Sequence, residues 1–145
     1  LEELFAKDYQ FALATSSDNI PSVRFVDTFY DDGAFYIVTY AKSQKVQEIE
    51  KNPKVSMCNK LYRFSGTAYN IGHPLCEKNH EIREKLIKVF DPWYFAHNDE
   101  NDESMCYIKI ELKQGGKRML SPFTEDNYII DAPQIIEMQI SDVLF

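Results

Sequence analysis

Between residues 22 and 30 the side chains alternate without a break, and this two-residue period constrains the fold more than any other feature. Val23, Phe25, Asp27 and Phe29 fall on one face, and Ser22, Arg24, Val26, Thr28 and Tyr30 on the other. Pro21 opens the run. Asp31-Asp32-Gly33 closes it as a hairpin, because glycine accepts the positive φ such a turn requires. An apolar strand over residues 9–15 precedes it across the polar turn Ser16-Ser17-Asp18-Asn19. A third strand over residues 34–40, rich in β-branched and aromatic side chains, follows.

The period then changes. Ser43 is placed to cap a short helix carrying Val46 and Ile49 on one side, and Pro53 ends it. Residues 55–59 and 64–71 read as strands four and five, with Gly66 marking a close backbone approach. Residues 78–90 carry Ile82, Leu86, Val89 and Phe90 at helical spacing, Asp91-Pro92 breaks that helix, and residues 93–96 form a further short turn. Residues 105–112 alternate as strand six. Gly115-Gly116 reads as a turn into a seventh strand near residues 117–120, and residues 128–130 as one more short strand. Hairpin-connected strands with few, late helices predict a mainly β, α+β architecture: a split barrel of six to seven antiparallel strands, not a βαβ sheet. No repeat or linker divides residues 1–145, which read as a single domain.

Composition excludes several functions. The net charge is −7, with 23 acidic against 16 basic residues, the wrong sign for broad nucleic-acid binding. No apolar run reaches the roughly 18 residues of a membrane helix. The chain opens on Leu1 with no signal-peptide pattern, and what precedes that residue is left open. Cys58, Cys76 and Cys106 are odd in number with no C-x-x-C pair, so a reducing cytoplasm is expected, and Cys58 and Cys106 read as buried strand thiols. Asp99-Glu100-Asn101-Asp102-Glu103 reads as a solvated loop. His73, His80 and His97 lack metal-ligand spacing, and only His97, beside Trp93-Tyr94-Phe95, is placed as a candidate proton donor. The aromatic group itself reads as packing for a core or subunit seam, or as a stacking partner. No metal site is expected.

The chemistry concentrates where the third strand passes into the first long helix. A helix start presents unpaired N–H groups and partial positive charge, a natural anion site. Ser43 adds a hydroxyl, Lys45 an ammonium and Thr39 a second hydroxyl, and Arg24 can close the site with a two-pronged grip on phosphate oxygens. The same residues have a plainer reading. Ser43 is then only a helix cap, Lys42 and Lys45 are solvated, and Arg24 pairs with a carboxylate such as Asp27 or one nearby.

The segments FALATSSDNIPSVRFV, DDGAFYIVTYAKSQK and VQEIEKNPKVSM add weight to the phosphate reading by resemblance. In order and spacing they resemble the flavin-binding half of the pyridoxamine 5′-phosphate oxidase-like superfamily: an Arg-led strand, a Tyr/Thr strand end, Ser-x-Lys opening a helix, and Asn-Pro ending it. Here those are Arg24, Thr39, Ser43, Lys45, Asn52 and Pro53. The resemblance implies a split barrel that binds flavin mononucleotide (FMN). Arg24 and Lys45 would bind its phosphate with Ser43 and Thr39 helping, and Phe25, Val26, Asp27 and Thr28 would run along the ring edge. Val38 stands where many relatives carry an aromatic. It further implies a homodimer with flavins at the subunit interface.

Departures narrow the activity. Phe29 and Tyr30 replace a basic residue ending the second strand, only Arg63 remains of an Arg-rich segment, and Gln44 replaces a basic neighbour of Lys45. Arg118-Met119-Leu120-Ser121-Pro122 echoes the family's terminal motif only loosely. Oxidation of pyridoxamine phosphate is therefore not expected, and the chain looks more like the stress-protein and nitroimidazole-reductase-like branches. The expectation is an oxidoreductase passing electrons from NAD(P)H to a small organic acceptor, its catalytic residue unknown. Deazaflavin or haem in place of FMN, a non-enzymatic sensor, and a cofactor-less dimeric module are the alternatives. Residues 78–97 are the segment that would set acceptor size if they fold over the flavin.

Overall fold

The structure, a computed structural model, describes residues 1–118 and 125–129. Its elements run α1 (Glu2–Phe5), β1 (Tyr9–Ser17), β2 (Ile20–Asp31), β3 (Ala34–Tyr40), α2 (Gln44–Lys51), β4 (Lys54–Cys58) and β5 (Tyr62–Gly72). A 3-10 turn at Glu77–Asn79 leads into α3 (His80–Val89), then α4 (Tyr94–His97), β6 (Met105–Arg118) and β7 (Glu125–Ile129). Every strand pairing is antiparallel, in the order β3-β2-β1-β4-β5-β6-β7, and β3 also pairs with β6. That last pairing closes six strands into a barrel and leaves β7 outside on the far end of β6.

The faces read from the sequence of β2 hold. Val26 and Tyr30 point into a core with Phe11, Leu13, Phe35, Ile37, Phe64, Ile108 and Ile110, whereas Val23 and Phe25 are exposed. Two tight turns set the hairpins. Asp18 and Asn19 between β1 and β2, and Asp32 and Gly33 between β2 and β3, all have positive φ, the geometry of two-residue hairpin loops. Phe5 plugs one barrel end, its ring against Tyr9, Phe11, Phe35, Tyr62 and Phe64. Helix α2 covers the opposite end with Val46 and Ile49, and Asn52 fastens its close by donating to Ser16 Oγ at 3.0 Å.

Gly66 is required by close approach, as its position in the strand suggests. A Cβ there would lie 2.3 Å from the Glu111 carbonyl oxygen on the paired strand. The Gly115-Gly116 turn is overturned. Both glycines lie inside the long strand β6, opposite Phe64 and Arg63 on one side and Tyr128 and Asn127 on the other. Pairing on both edges holds the backbone extended where local sequence favours a turn. The seventh strand is Glu125–Ile129 rather than residues 117–120; Met119, Leu120 and Ile130 lie outside the described residues.

Helices α3 and α4 form a second layer on the outer face of β3 and β6. Leu86, Phe90 and Tyr94 pack on Phe29, Met105 and Tyr107, with Tyr36, Val38 and Tyr40 beside them. The acidic loop is exposed at Asp99, Asn101, Asp102 and Glu103, as its composition predicts, and only Glu100 is drawn in. Glu100 accepts two hydrogen bonds from Arg83, at 2.8 and 2.7 Å, and a third from the buried Tyr94 hydroxyl at 2.9 Å. The Tyr94 hydroxyl also bonds that of buried Tyr107. The Arg83 guanidinium above all, then Tyr94, holds the Glu100 carboxyl below its ordinary range. A depressed folded-state value contributes stability above the unfolded pKa and loses it as pH falls through the folded one. Glu100→Gln is therefore expected to cost about 1–3 kcal/mol near neutral pH. Chemical denaturation should show that deficit shrinking below pH ~4.3, the ordinary glutamate value.

Candidate functional site at the open end of the barrel

At the end covered by α2 the inward-facing positions change character. Along β1 the sequence Phe11, Leu13 is followed by Thr15, and along β3 Phe35, Ile37 is followed by Thr39. On β2, which runs the other way, Val26 gives way to Arg24. Each of three neighbouring strands thus ends its buried row on a polar side chain. Here the barrel also opens. Strand β2 pairs with β3 only over Phe29, Tyr30 and Asp31, while β3 continues to Tyr40 paired with β6 alone. Residues 20–28 of β2 therefore carry no β3 partner, and a split separates them from the end of β3.

Helix α2 begins at this split. Ser43 stands at its N-cap, but the hydroxyl does not cap the helix; it donates to Tyr40 O at 2.8 Å and lies 3.5 Å from Thr39 Oγ1. The opening amides of α2 thus keep no side-chain cap, as an anion-binding helix start requires. Gln44 donates to Ser22 Oγ at 3.3 Å and Gln47 to Ala41 O at 2.7 Å, tying the helix start to β2 and to its own approach loop.

Arg24 and Lys45 are brought together, as the two ends of the motif suggest. Burial first, and then the neighbouring Arg24 guanidinium, hold the Lys45 ammonium below its ordinary pKa. Two cations near enough to act on each other at a helix start favour an anion there, in a chain that is acidic overall. Arg24 itself is not splayed toward solvent for a two-pronged grip. One terminal nitrogen donates to Thr15 Oγ1 at 2.7 Å and Leu13 O at 3.3 Å, and the other meets Glu48 Oε1 at 3.4 Å. Its carboxylate partner is thus Glu48, not Asp27, and Glu48 escaped the sequence reading. Its spacing from Lys45 on the α2 face was the available signal. Cys106 is buried near Lys45, and burial above all pushes its thiol up to about 11, so it is inert near neutral pH. Cys58 is exposed on the outer face, contrary to the buried thiol expected there, because β4 places it out of phase with Val55 and Met57.

The remaining site residues divide by face. Thr28 is buried and donates to Tyr9 O at 2.7 Å, and Val26 lies in the barrel core. Phe25 and Asp27 point outward; Phe25 is 72% exposed, and burial, then Asp8, raises the Asp27 carboxyl. Val38 faces the α3–α4 layer, not the core. His97 is exposed, and Trp93 donates from Nε1 to Asp8 at 2.8 Å, fastening the α3–α4 layer to the start of β1. Among the described residues no group of histidine, cysteine and carboxylate side chains is placed to hold a metal, and no helix is long and apolar enough to cross a membrane.

The pyridoxamine 5′-phosphate oxidase family profile matches residues 1–115, most of the chain's 145. The chain belongs to that family. No curated protein sequence matches this family member. Solved structures share its split-barrel fold. A NimC/NimA family protein from Clostridium acetobutylicum is 22% identical with a TM-score of 0.63, covering 82% of this chain and 83% of its own. A pyridoxamine 5′-phosphate oxidase-related, FMN-binding protein from Nostoc punctiforme is 15% identical at 0.59, covering 86% and 82%. A haem-binding protein from Mycobacterium smegmatis is 11% identical at 0.64, covering 86% of this chain and 53% of its own. Other neighbours are named as an FAD-binding protein and an F420 reductase.

Proposed function

We propose that this family member is a homodimeric, cytoplasmic FMN-binding flavoprotein and an oxidoreductase that passes electrons from NAD(P)H to a small organic acceptor. The observation that carries this reading is the meeting of Arg24, Thr39, Ser43 and Lys45 at the start of α2, beside a strand edge left open by the split. The residues present fit the phosphate end of the cofactor. Lys45 and the uncapped amides of α2 supply positive charge and donors, Ser43 and Thr39 supply hydroxyls, and Arg24 backs them from the barrel interior. The unpaired edge at Phe25, Val26, Asp27 and Thr28 offers backbone donors and acceptors to a flat polar ring. The flavin, when bound, supplies the redox chemistry.

The outer face of β2 supports the dimer. Ile20, Val23 and Phe25 are exposed beside a groove of about 430 Å³ lined by Ala12, Ala14, Val23, Ser56, Cys58 and Ser65. A groove of mostly small side chains, with Arg63 and Gln114 also on its lining, flanked by exposed large apolar ones suits a second copy of the chain. Val23→Glu is expected to convert a dimer to a monomer in size-exclusion light scattering, with the fold kept. An unchanged dimer mass would place the interface elsewhere.

Absorbance after loading with FMN and desalting tests the cofactor, and anaerobic addition of NADH or NADPH then tests the activity. Retained flavin bands that bleach with a nicotinamide donor are expected. Bands that persist unbleached favour a sensor, a Soret band from cells favours haem, and reduction only by reduced F420 favours a deazaflavin partner. A colourless protein that retains nothing favours an interaction module.

A further inference from the structure

Among the described residues Glu48 is the one buried charged side chain, and the phosphate reading leaves it without a role. It is 8% exposed, lies on α2 one turn beyond Lys45, and its Oε1 meets Arg24 at 3.4 Å. We infer that Glu48 is an internal stand-in for phosphate: it balances Arg24 while the cradle is empty and yields that guanidinium nitrogen when a phosphate enters. The inference rests on the reading of this end as a phosphate site.

Three observations lead to it. A carboxylate this buried must be paired, and Arg24 is its cationic partner among the described residues. The pair is long for a charge-assisted bond, about 0.5 Å beyond the usual range, whereas Arg24 holds Thr15 at 2.7 Å. Thr15 therefore fixes the guanidinium, and Glu48 is the partner that exchanges at least cost. Lys45, on the same helix, makes no salt bridge among the described residues, so of the two cations one is balanced and one is not. An entering dianion then meets Lys45 directly and competes with Glu48 for Arg24. Glu48 is a positioning residue that opposes the ligand it imitates.

The test is thermal unfolding in rising inorganic phosphate at about pH 8, ionic strength held constant with chloride, for the parent, Glu48→Gln, and the double variant Arg24→Met with Glu48→Met. Without phosphate, Glu48→Gln is expected to melt roughly 5 °C below the parent. Phosphate should then stabilise it more than the parent, with an apparent affinity on the order of tenfold tighter. The double variant should recover the melting temperature and lose most of the phosphate response. Equal affinities in the parent and Glu48→Gln would overturn the role of Glu48 and leave the anion site standing. A parent-level response in the double variant would overturn it too, even if Glu48→Gln does not fold. Phosphate stabilising none of the three would remove the anion site along with it.

Discussion

Lys45→Ala is expected to weaken FMN binding by roughly tenfold to a hundredfold while leaving the melting temperature within a few degrees of the parent. The size follows from losing one charge-assisted contact to phosphate, worth about 1.5–3 kcal/mol. The small effect on stability follows from the surroundings of Lys45. The ammonium is half-buried, its pKa is lowered by burial and then by Arg24, and it makes no salt bridge among the described residues. Removing it relieves repulsion and breaks no ion pair. Fluorescence titration with FMN measures the first quantity and a thermal melt the second. A variant that binds as tightly as the parent would take the phosphate away from α2. A variant that loses binding only because it unfolds would make Lys45 a structural residue.

The largest stability effect is expected from Gly66→Ala. The new methyl would sit 2.3 Å from the Glu111 carbonyl oxygen and 3.2 Å from Ile110 Cγ2. The first of these is backbone of the paired strand, which cannot rotate away as a side chain can. Strand β5 already slips register against β6 between Ser65 and Gly66, so the irregularity is built around the missing side chain. Overpacking of this kind costs about 3 kcal/mol or more, and roughly 10 °C in melting temperature follows for a chain of this size. Thr67→Ala, one residue along the same strand, serves as the control and should stay close to the parent. A Gly66→Ala melt within about 2 °C of the parent would mean that the two strands can separate locally without loss of pairing elsewhere.

Much of this architecture is legible in the residues because local and global signals agree. The alternation along β2 puts Arg24 on one face with Val26 and Tyr30, the face the barrel turns inward, and the polar ends Thr15 and Thr39 continue the same two-residue period on β1 and β3. Asp32-Gly33 is a turn because the positive φ at both positions has no cheaper solution. Gly115-Gly116 shows the limit. Its turn signal is real, but β5 and β7 bind both edges of the strand there, and the β5 pairing, with residues some fifty positions away, leaves no local trace.

The site divides along the same line. Ser43 and Lys45 are legible because they are adjacent to a helix start. Glu48 is not, because its meaning comes from Arg24, 24 residues away and visible only once the barrel is closed. Glu100 is masked in the same way, since an acidic run reads as solvated until Arg83 and Tyr94 are seen to reach it. Acceptor range stays outside the sequence too. Helices α3 and α4 pack over β3 and β6 beside Val38 and Tyr40, and only a bound flavin and acceptor would tell what residues 78–97 cover.

The most direct test compares FMN with riboflavin in matched calorimetric titrations of the parent protein. The two ligands share a ring system and differ only in the phosphate. A cradle built from Lys45, Ser43, Thr39 and Arg24 predicts FMN binding at least about tenfold tighter, with the difference collapsing in Lys45→Ala. Equal affinity for the two in the parent would contradict a phosphate-anchored flavin at this end of the barrel.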